Sequence, residues 1–343
     1  MAKLTACLIS ANRAEQLKIA IDSLLNQSYQ DFEIILSDDS VDDSIKDYFL
    51  AKFPAGKYIH HNPPLGEIAN TNFVINSAET EYVLLCHDDD YFDKSYIEEC
   101  FLRMLANKDV DLCYSGRIII DPDNKVITQN LMLNTNVEFL YESNNILDVM
   151  LYDKVDNKYR VPINTPGLFL KKHHYVDVNG LNPKVNTHCD TEFLLKILSV
   201  TNSVLYINKP IYYSRLWNNS SGRSKSSEKC EVFEAQLGVL EYFCNFKKSP
   251  PYSLLEKQYI YKKYALRCCN FNGPMLWMAL RSKYGFWRTK QEIFNTAKKM
   301  IKLNKMVIHK PKFYINFLVA LLFPQFIIIK LQKKFTTLLN TKR

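Results

Sequence analysis

Short apolar runs alternate with segments of helical periodicity over roughly the first 120 residues, and each apolar run ends in polar residues. Residues 4–9, 32–36 and 82–86 are predicted to be buried strands. After the third strand, apolar residues follow the spacing of an amphipathic helix: Ile97, Cys100, Phe101, Met104 and Leu105. Strands that alternate with helices predict an α/β fold around a mostly parallel sheet, with a binding site at the carboxyl ends of the strands.

Other elements follow from the same periodicities. A helix is predicted after Asn12, its expected N-cap residue, and further helices over residues 43–53 and 67–77. Residues 57–60 and 210–213 are predicted as short strands, and a helix is expected after Asp190. Between these, the pattern from residue 111 onward indicates irregular strands and loops.

Two acidic clusters fall directly after predicted strands: Asp38-Asp39, and three aspartates at residues 88–90. Close carboxylates repel by roughly 1 kcal/mol in water and about 4 kcal/mol at the effective dielectric near a protein surface. A divalent cation can offset this repulsion, and oxygen ligands favour Mg²⁺ or Mn²⁺ held jointly by carboxylates and substrate phosphates. The clusters therefore predict a metal-bound diphosphate of a nucleotide derivative. The alternative is an acidic turn that caps the helix near Asp93.

Glycine placement excludes two common phosphate sites. No glycine precedes Gly56, so the turn after the first strand, Ser10-Ala11-Asn12-Arg13, has neither the G-x-G-x-x-G pattern of dinucleotide-binding folds nor a P-loop. A nucleotidyltransferase, which usually has a glycine-rich loop there, is disfavoured for the same reason. The nucleotide is expected to be held by strand-end carboxylates and a metal.

Charge is distributed unevenly along the chain. Residues 281–343 carry fifteen Lys or Arg and one acid, a net charge of +14, whereas the remainder carries −6. An acidic body argues against nucleic-acid binding. Residues 313–329 are uncharged, but a helix of that length reaches only about 26 Å, short of the ~30 Å hydrocarbon core. We therefore expect an in-plane or hairpin anchor at the membrane surface, the alternative being a helix packed on the body.

The nine cysteines include no C-x-x-C pair, and most lie in apolar runs. This predicts reduced, buried thiols in a cytosolic protein. The N-terminus leads straight into a strand pattern and lacks the features of a signal peptide.

The segment LISANRAEQLKIAIDSLLNQSYQDFEIILSDDSVDDS, at residues 8–44, resembles the opening of the family-2 inverting glycosyltransferases with the GT-A fold. The similarity continues through GEIANTN at 66–72, HDDD at 87–90, GLF at 167–169 and GLN at 180–182, and covers about residues 3–217. It implies a GT-A fold and transfer of a sugar from a nucleoside diphosphate sugar to an acceptor hydroxyl, with inversion at the anomeric carbon.

The resemblance also implies roles for individual residues. Asp39 resembles the carboxylate that reads the base, and Asp190 the general base. The remaining donor-binding positions are Ser10, Asn12, Arg13, Asn72, Asp88 and Asp89. The metal, Mn²⁺ or Mg²⁺, is expected on Asp88 and Asp90.

The sequence departs from the family pattern at three positions. His87 stands where the first aspartate of the D-x-D motif usually lies, so the metal register is Asp88/Asp90 or Asp89/Asp90. Thr71 replaces a common arginine, and Cys189 replaces the glutamate before the base.

Several polar residues near these motifs have more than one interpretation. Arg215 is either a phosphate contact or a surface arginine. Glu192 is an acid on the helix surface or behind the residues that touch the substrate, an acceptor contact, or a second candidate base. His188 and Trp217 are candidate acceptor contacts, although His188 also fits an ordinary loop histidine. The pairs His60-His61 and His173-His174 lack zinc spacing.

The expected organisation is a glycosyltransferase domain at residues 1–225, with a nucleotide-binding half to about residue 120 and an acceptor-binding half after it. A helical extension is expected at 226–300 and a membrane-association segment at 301–343. The predicted donor is UDP-linked, with CDP and dTDP as alternatives, and the predicted acceptor a polyprenyl-linked saccharide at the cytoplasmic membrane face, as in O-antigen or capsule synthesis. The alternatives are a catalytically inactive nucleotide-sugar-binding module and, less favoured, a nucleotidyltransferase.

Overall fold

The computed structural model describes residues 2–130, 138–152, 165–217, 232–246, 253–268, 275, 278, 279, 282 and 286–322. The chain divides into two units: residues 1–150 with 154–218, and residues 151–153 with 219–343. Each is treated by itself below.

The first unit is built on ten strands. They are β1 Leu4–Ser10, β2 Glu33–Asp38, β3 Lys57–His60, β4 Tyr82–His87, β5 Tyr91–Phe92, β6 Leu112–Ile120, β7 Val126–Asn130, β8 Glu138–Glu142, β9 Phe169–Lys171 and β10 Ser203–Arg215. They form one sheet in the order β3-β2-β1-β4-β9-β6-β10-β5, with β7 paired to β6 and β8 to β10. The sheet is mixed, because β9 runs antiparallel between β4 and β6.

Helices follow most of these strands. They are α1 Ala14–Leu25, α2 Lys46–Lys52, α3 Glu67–Ser77, α4 Tyr96–Ala106, α5 Ser143–Tyr152, α6 Lys172–Asp177 and α7 Cys189–Val200, and then α8 Val232–Cys244, α9 Leu254–Arg267, α10 Phe286–Leu303 and α11 Pro311–Leu322. Short 3₁₀ helices cover Pro183–His188 and Lys305–His309. The last four α-helices belong to the second unit.

Strand β1 is buried along its whole length because helices cover both of its faces. Leu4, Ala6 and Leu8 join a core to which α1, α2 and α4 contribute. On the opposite face, the Cys7 thiol lies 3.8 Å from the carbonyl oxygen of Val74 in α3. A strand covered on both faces has an uninterrupted apolar sequence instead of an alternating one, as the LTACLI segment does.

Parallel pairing brings the predicted site residues to one edge of the sheet. Ser10, the last residue of β1, is in register with Asp38, the last residue of β2. On its other side β1 pairs with β4, with Ile9 opposite His87. The two acidic clusters are therefore neighbours at the carboxyl ends of β2 and β4, on either side of the turn after β1.

The structure corrects two expectations about element boundaries. Asn12 does not cap α1: it has φ of +57°, and Arg13 occupies the N-cap position with no side-chain capping bond. The strand predicted at 210–213 is the end of a 13-residue strand, β10, whose register to β6 shifts on either side of Pro210. Such an irregularity accommodates a residue that lacks an N–H.

The second unit is described here through α8 to α11. None of the helices in the described ranges combines the length and apolar character needed to cross a membrane. The stretch predicted as an anchor, 313–329, is helical as far as Leu322, and the rest of it lies outside the described residues. Of the cysteines that the structure describes, six are buried free thiols and Cys189 is partly exposed; Cys230 and Cys269 lie outside the described ranges.

The packing of α4 gives a direct test of the core. Phe101 is fully buried and makes edge-to-face contacts with Tyr29 and Tyr82, at centroid distances of 5.6 and 5.4 Å. We expect Phe101→Ala to lower the free energy of unfolding by about 3–5 kcal/mol, because it removes a large buried ring. Urea titration followed by circular dichroism measures this. The neighbouring Leu102, 39% exposed, is the control: Leu102→Ala should change the value by less than ~0.5 kcal/mol, and equal losses would contradict the packing.

Candidate active site

Arg13 binds two of the three clustered aspartates. Its Nη2 lies 3.1 Å from Oδ1 of Asp88 and its Nη1 lies 2.5 Å from Oδ2 of Asp89. The backbone N–H of Ala11 donates to the other oxygen of Asp88 at 3.0 Å. The turn after β1 thus supplies both a cation and a hydrogen-bond donor to the loop after β4, which lowers the cost of placing adjacent carboxylates there.

Asp90 is buried and receives its donors from β10. The Tyr212 hydroxyl donates to Oδ2 of Asp90, and the backbone N–H of Arg215 donates to Oδ1 at 2.9 Å. Both carboxylate oxygens of Asp90 are therefore fixed by donors near the end of β10, the strand that also carries Arg215, the predicted phosphate contact.

The side chain of Arg215 donates hydrogen bonds to the same loop and to a neighbouring turn. Its Nε donates to the carbonyl oxygen of Asp89 at 3.0 Å, and its Nη atoms donate to the carbonyl oxygens of Asp121 and Pro122 and to Oδ1 of Asn124. Arg215 is buried. Because the donors of Arg215 are directed at carbonyl and amide oxygens, the geometry favours neither a phosphate contact nor a surface arginine. Arg215 instead links the acidic loop to the β6–β7 turn.

Burial perturbs the acids of the loop. Desolvation raises the pKa of Asp88 to about 6, although Arg13 and the Ala11 N–H act in the opposite direction. Desolvation also raises the pKa of Asp90, with a further contribution from the charge of Asp89 and an opposing one from His87. Asp89 is the most accessible of the three, with 13% of its side chain exposed compared with 2% for Asp88. Trp217 donates from Nε1 to Oδ2 of Asp89 at 2.8 Å, so the structure places Trp217 beside the acidic loop.

The residues after β2 fix the second acidic cluster. Asp39 accepts the N–H groups of Leu65 and Gly66 at 3.1 and 2.7 Å, which holds the turn that leads into α3. The positive φ of Asn12 lets its side-chain oxygen accept the N–H of Val41 at 2.9 Å. The two turns are thereby joined.

Ser10 is the predicted donor-binding residue with unused hydrogen-bonding capacity. Its hydroxyl oxygen is buried and has no hydrogen-bond partner in the structure. Because a buried hydroxyl without a partner is unfavourable, this atom is suited to a ligand group that enters the same edge of the sheet.

Asn72 lies apart from the strand ends and fixes a turn. Its amide nitrogen donates to the carbonyl oxygen of Leu181 at 2.9 Å, while its oxygen accepts the Leu181 N–H at 2.9 Å and the Tyr175 hydroxyl at 2.5 Å. Gly180 has φ of +57°, and a Cβ there would lie 2.4 Å from the Asn72 oxygen. The GLN turn predicted from the sequence is therefore held closely against α3 by Asn72.

Asp190 lies in the first turn of α7, where a helix N-terminus stabilises a carboxylate. Its residue surface is exposed, yet desolvation raises its pKa above the usual value, opposed by His87 and by a hydrogen bond with Thr165. His87, at the end of β4, connects Asp190 electrostatically with the acidic loop.

Glu192 and His188, the two predicted acceptor contacts beside Asp190, are both buried. One oxygen of Glu192 lies 3.1 Å from Nζ of Lys196, and the other accepts from Asn182 at 3.4 Å. Lys196 also donates to the carbonyl oxygens of Val178 and Gly180 at 2.8 and 3.0 Å. Glu192 is thus part of a buried charge pair that anchors the GLN turn to α7, a geometry that favours positioning over proton transfer.

Tyr212 and Lys196 were missed by sequence reasoning. Lys196 had a usable signal, because it stands four residues after Glu192 on a helix, the spacing of an ion pair. Tyr212 had none, since its contact with Asp90 bridges residues 122 positions apart.

The part of the chain that the structure describes forms no metal site from protein ligands alone. Within the described ranges, no group of three or more His, Cys, Asp or Glu side chains could hold a metal ion. The carboxylates do fit a cation held largely by substrate phosphates, because Mg²⁺ typically takes only one or two of them. Asp89, the most accessible, suits this arrangement best; the register within residues 88–90 stays a prediction.

Comparison with protein families places this geometry in context. Residues 5–173 match the model of glycosyl transferase family 2. The chain is 24% identical over 232 residues to chondroitin synthase of Pasteurella multocida, covering 65% of this chain and 22% of the synthase. It also spans only 40% of an uncharacterized glycosyltransferase, MJ1057, of Methanocaldococcus jannaschii. The chain thus spans well under two thirds of the length of these curated relatives.

Solved structures share the fold. Residues 1–349 of TarS from S. aureus, in complex with UDP-GlcNAc, superpose with a TM-score of 0.65 at 15% identity, covering 93% of this chain and 90% of that one. The mannosyltransferase PcManGT from Pyrobaculum calidifontis, in complex with GDP-Man and Mn²⁺, gives a TM-score of 0.52 at 12% identity, covering 93% and 85%. The α/β fold of GT-A type predicted from the sequence is confirmed.

The raised pKa of Asp88 predicts a pH-dependent stability difference between the wild type and Asp88→Asn. The folded state retains the proton of Asp88 at higher pH than the unfolded chain, so the wild type loses stability as pH rises from about 4 to about 6 and keeps the penalty above that. Relative to the wild type, Asp88→Asn should gain up to about 3 kcal/mol over this range, at ~1.4 kcal/mol per pKa unit. Urea titrations at several pH values measure the difference. Asp31→Asn, at an exposed position, should show no such gain, and a pH-independent difference for Asp88→Asn would contradict the burial of that carboxylate.

Proposed function

Since residues 5–173 match the model of glycosyl transferase family 2, we propose that this protein transfers a sugar from a nucleoside diphosphate sugar to a hydroxyl of a saccharide acceptor, with inversion at the anomeric carbon. The observation that carries the proposal is the arrangement at the sheet edge. Two acidic loops flank the turn after β1, and Asp190 on α7 forms a hydrogen bond with Thr165, in the segment whose Gly167 N–H donates to the carbonyl oxygen of Leu85 in β4.

The donor side is formed by the turn after β1 and the two acidic loops. The unpartnered hydroxyl of Ser10 and the positive charge of Arg13, whose side chain is 37% exposed, are suited to the nucleotide and its diphosphate. Asp39 still has free lone pairs after accepting two backbone N–H groups, which is compatible with reading a base. The UDP-GlcNAc in the TarS complex favours a UDP-linked donor, with CDP and dTDP as alternatives.

A bound Mn²⁺ or Mg²⁺ would supply positive charge to neutralise the leaving diphosphate, and Asp89 is the residue that we propose holds it. The Mn²⁺ in the PcManGT complex supports a metal in this fold. Asp88 and Asp90, the ligand pair predicted from the sequence, are then the residues that fix the loop, through Arg13, Tyr212 and the Arg215 N–H.

Asp190 is the proposed general base. An inverting displacement needs one group that removes the acceptor proton on the face opposite the leaving group. Asp190 is accessible, and the desolvation that raises its pKa makes it a stronger base than an ordinary aspartate. Glu192 and Lys196 hold the helix and the GLN turn behind it, so we assign Glu192 a positioning role.

The acceptor is proposed to be a polyprenyl-linked saccharide at the cytoplasmic membrane face, in surface-polysaccharide synthesis of the O-antigen or capsule type. The basic, apolar C-terminal region supports this proposal. Trp217, whose Nε1 donates to Asp89, is the proposed acceptor contact. The organisation that goes with it is a catalytic domain at 1–225, a helical extension at 226–300 and a membrane-association segment at 301–343.

Donor binding is tested by thermal shift with UDP-, CDP-, GDP- and dTDP-sugars, each with and without Mn²⁺. We expect one UDP-sugar to raise the melting temperature, and the rise to be larger with Mn²⁺, because the cation relieves the repulsion between diphosphate and carboxylates. Asp89→Asn should remove the Mn²⁺-dependent part. Stabilisation by a nucleoside triphosphate with release of pyrophosphate would instead indicate a nucleotidyltransferase.

Asp190→Asn separates catalysis from binding. We expect at least a hundredfold loss of sugar transfer with an unchanged donor-induced thermal shift, because general-base removal typically costs about 10²–10⁴-fold. Asp47→Asn, an acid in the first turn of α2, is the matched control and should keep full transfer. A wild type that binds donor but transfers to none of the acceptors tested would favour the inactive-module alternative.

A further inference from the structure

Helix α11 of the second unit has an inverted polarity. Its one amide side chain, Asn316, is buried, whereas four large side chains face the solvent at spacings that define one helical face: Tyr314, Ile315, Leu318 and Leu322. Their exposed fractions are 46, 48, 46 and 64%. The opposite face, with Phe313 and Ala320, is buried. A contiguous exposed apolar face on a helix marks a surface that another phase or partner covers.

The neighbouring helix α10 extends this surface. Phe294 of α10 contacts Phe317 of α11 with a centroid distance of 6.3 Å, and Lys290 donates to the carbonyl oxygen of Ala320. On the solvent side of α10, Trp287 is 82% exposed, and Nζ of Lys298 lies 4.6 Å from the centroid of the Phe294 ring. An exposed tryptophan on a helix rich in basic residues is typical of the membrane–water interface.

The positive charge of this region indicates which kind of partner could cover the exposed apolar face of α11. Residues 286–322 carry eight Lys or Arg and one Glu. A second copy of the chain would bring the same excess of positive charge to the contact, which is unfavourable. An anionic bilayer offers an apolar interior and negative headgroups together, and each lysine near such a surface contributes about 1 kcal/mol.

We propose that one exposed surface of α10 and α11 inserts into the interface of an anionic lipid bilayer, with Lys298 and Lys302 at the headgroups. This surface, here called the α10–α11 face, consists of Trp287, Tyr314, Ile315, Leu318 and Leu322. In this proposal the helices lie in the plane of the interface. The inference deepens the proposed function by giving the lipid-linked acceptor a physical location. It stands on different residues from the catalytic assignments.

Co-sedimentation of the full chain with vesicles of phosphatidylcholine, with and without phosphatidylglycerol, tests the proposal. We expect binding to the anionic vesicles only, weakened by salt. Leu318→Glu should lower the partition coefficient at least tenfold. The matched control is Leu255→Glu, at a 77%-exposed leucine of α9 in the same unit, and it should bind as the wild type does.

The electrostatic part is tested by the double variant Lys298→Gln, Lys302→Gln, which should lower the partition coefficient about tenfold or more. Lys263→Gln on α9 is its control. Circular dichroism and the donor-induced thermal shift should be unchanged in every variant, so that loss of binding is not loss of folding. Vesicle binding is measured without sugar transfer, so failure of the membrane contact and failure of the proposed reaction are distinguishable.

Four outcomes would overturn the proposal. The first is that the wild type does not bind anionic vesicles, and the second is that Leu318→Glu and Leu255→Glu lose binding equally. The third is a dimer, seen by light scattering, that Leu318→Glu converts to a monomer without changing vesicle binding, which would make the face an interface between copies. The fourth is vesicle binding that Leu318→Glu leaves intact but deletion of residues 323–343 abolishes, which would assign the contact to the C-terminal segment alone.

Discussion

Three consecutive aspartates, two of them buried, impose the strongest constraint on the first unit. Ionised carboxylates can be buried only where donors and cations offset their desolvation. Arg13, placed by the turn after β1, supplies charge to Asp88 and Asp89, while β10 supplies the Tyr212 hydroxyl and the Arg215 N–H to Asp90. Because β1 and β10 lie in different parts of the sheet, the acidic loop can form only when both are in place. The loop therefore joins the turn after β1 to strand β10.

The same charges determine what can bind there. A diphosphate is repelled by carboxylates, and Arg13 is one cation shared by two of them. Adding a diphosphate to this site leaves negative charge in excess, whereas a divalent cation coordinated by phosphate oxygens and one accessible carboxylate restores the balance. The most accessible aspartate, Asp89, is also bound by Trp217. Arg13, after β1, and Trp217, after β10, thus meet at the same carboxylate.

Local sequence patterns predicted the strands at 4–9, 32–36, 57–60 and 82–86, the helix at 67–77 and the acidic strand ends, because each depends on periodicity within a few residues. The failures involve distant partners. Asn12 was expected to cap α1, but its side chain is used by Val41 and its backbone takes a positive φ. Arg215 donates hydrogen bonds to the turn at residues 121–124, and Asn72 donates one to Leu181. No sequence pattern near either residue predicts these contacts. A buried arginine and a surface arginine look the same in a sequence, so contact and positioning roles separate only when the fold is known.

The C-terminal region shows the same limit for surfaces. Composition identified an uncharged stretch beside many lysines, but a packed helix and an interfacial helix have the same composition. They differ in which side chains are turned inward, and in α11 it is the amide of Asn316 that is buried while leucine and isoleucine face out. Folding in water alone would favour the reverse arrangement. The proposed bilayer contact would give these outward-facing apolar residues an apolar environment, and the lysines of α10 are complementary to the negative charge of anionic headgroups.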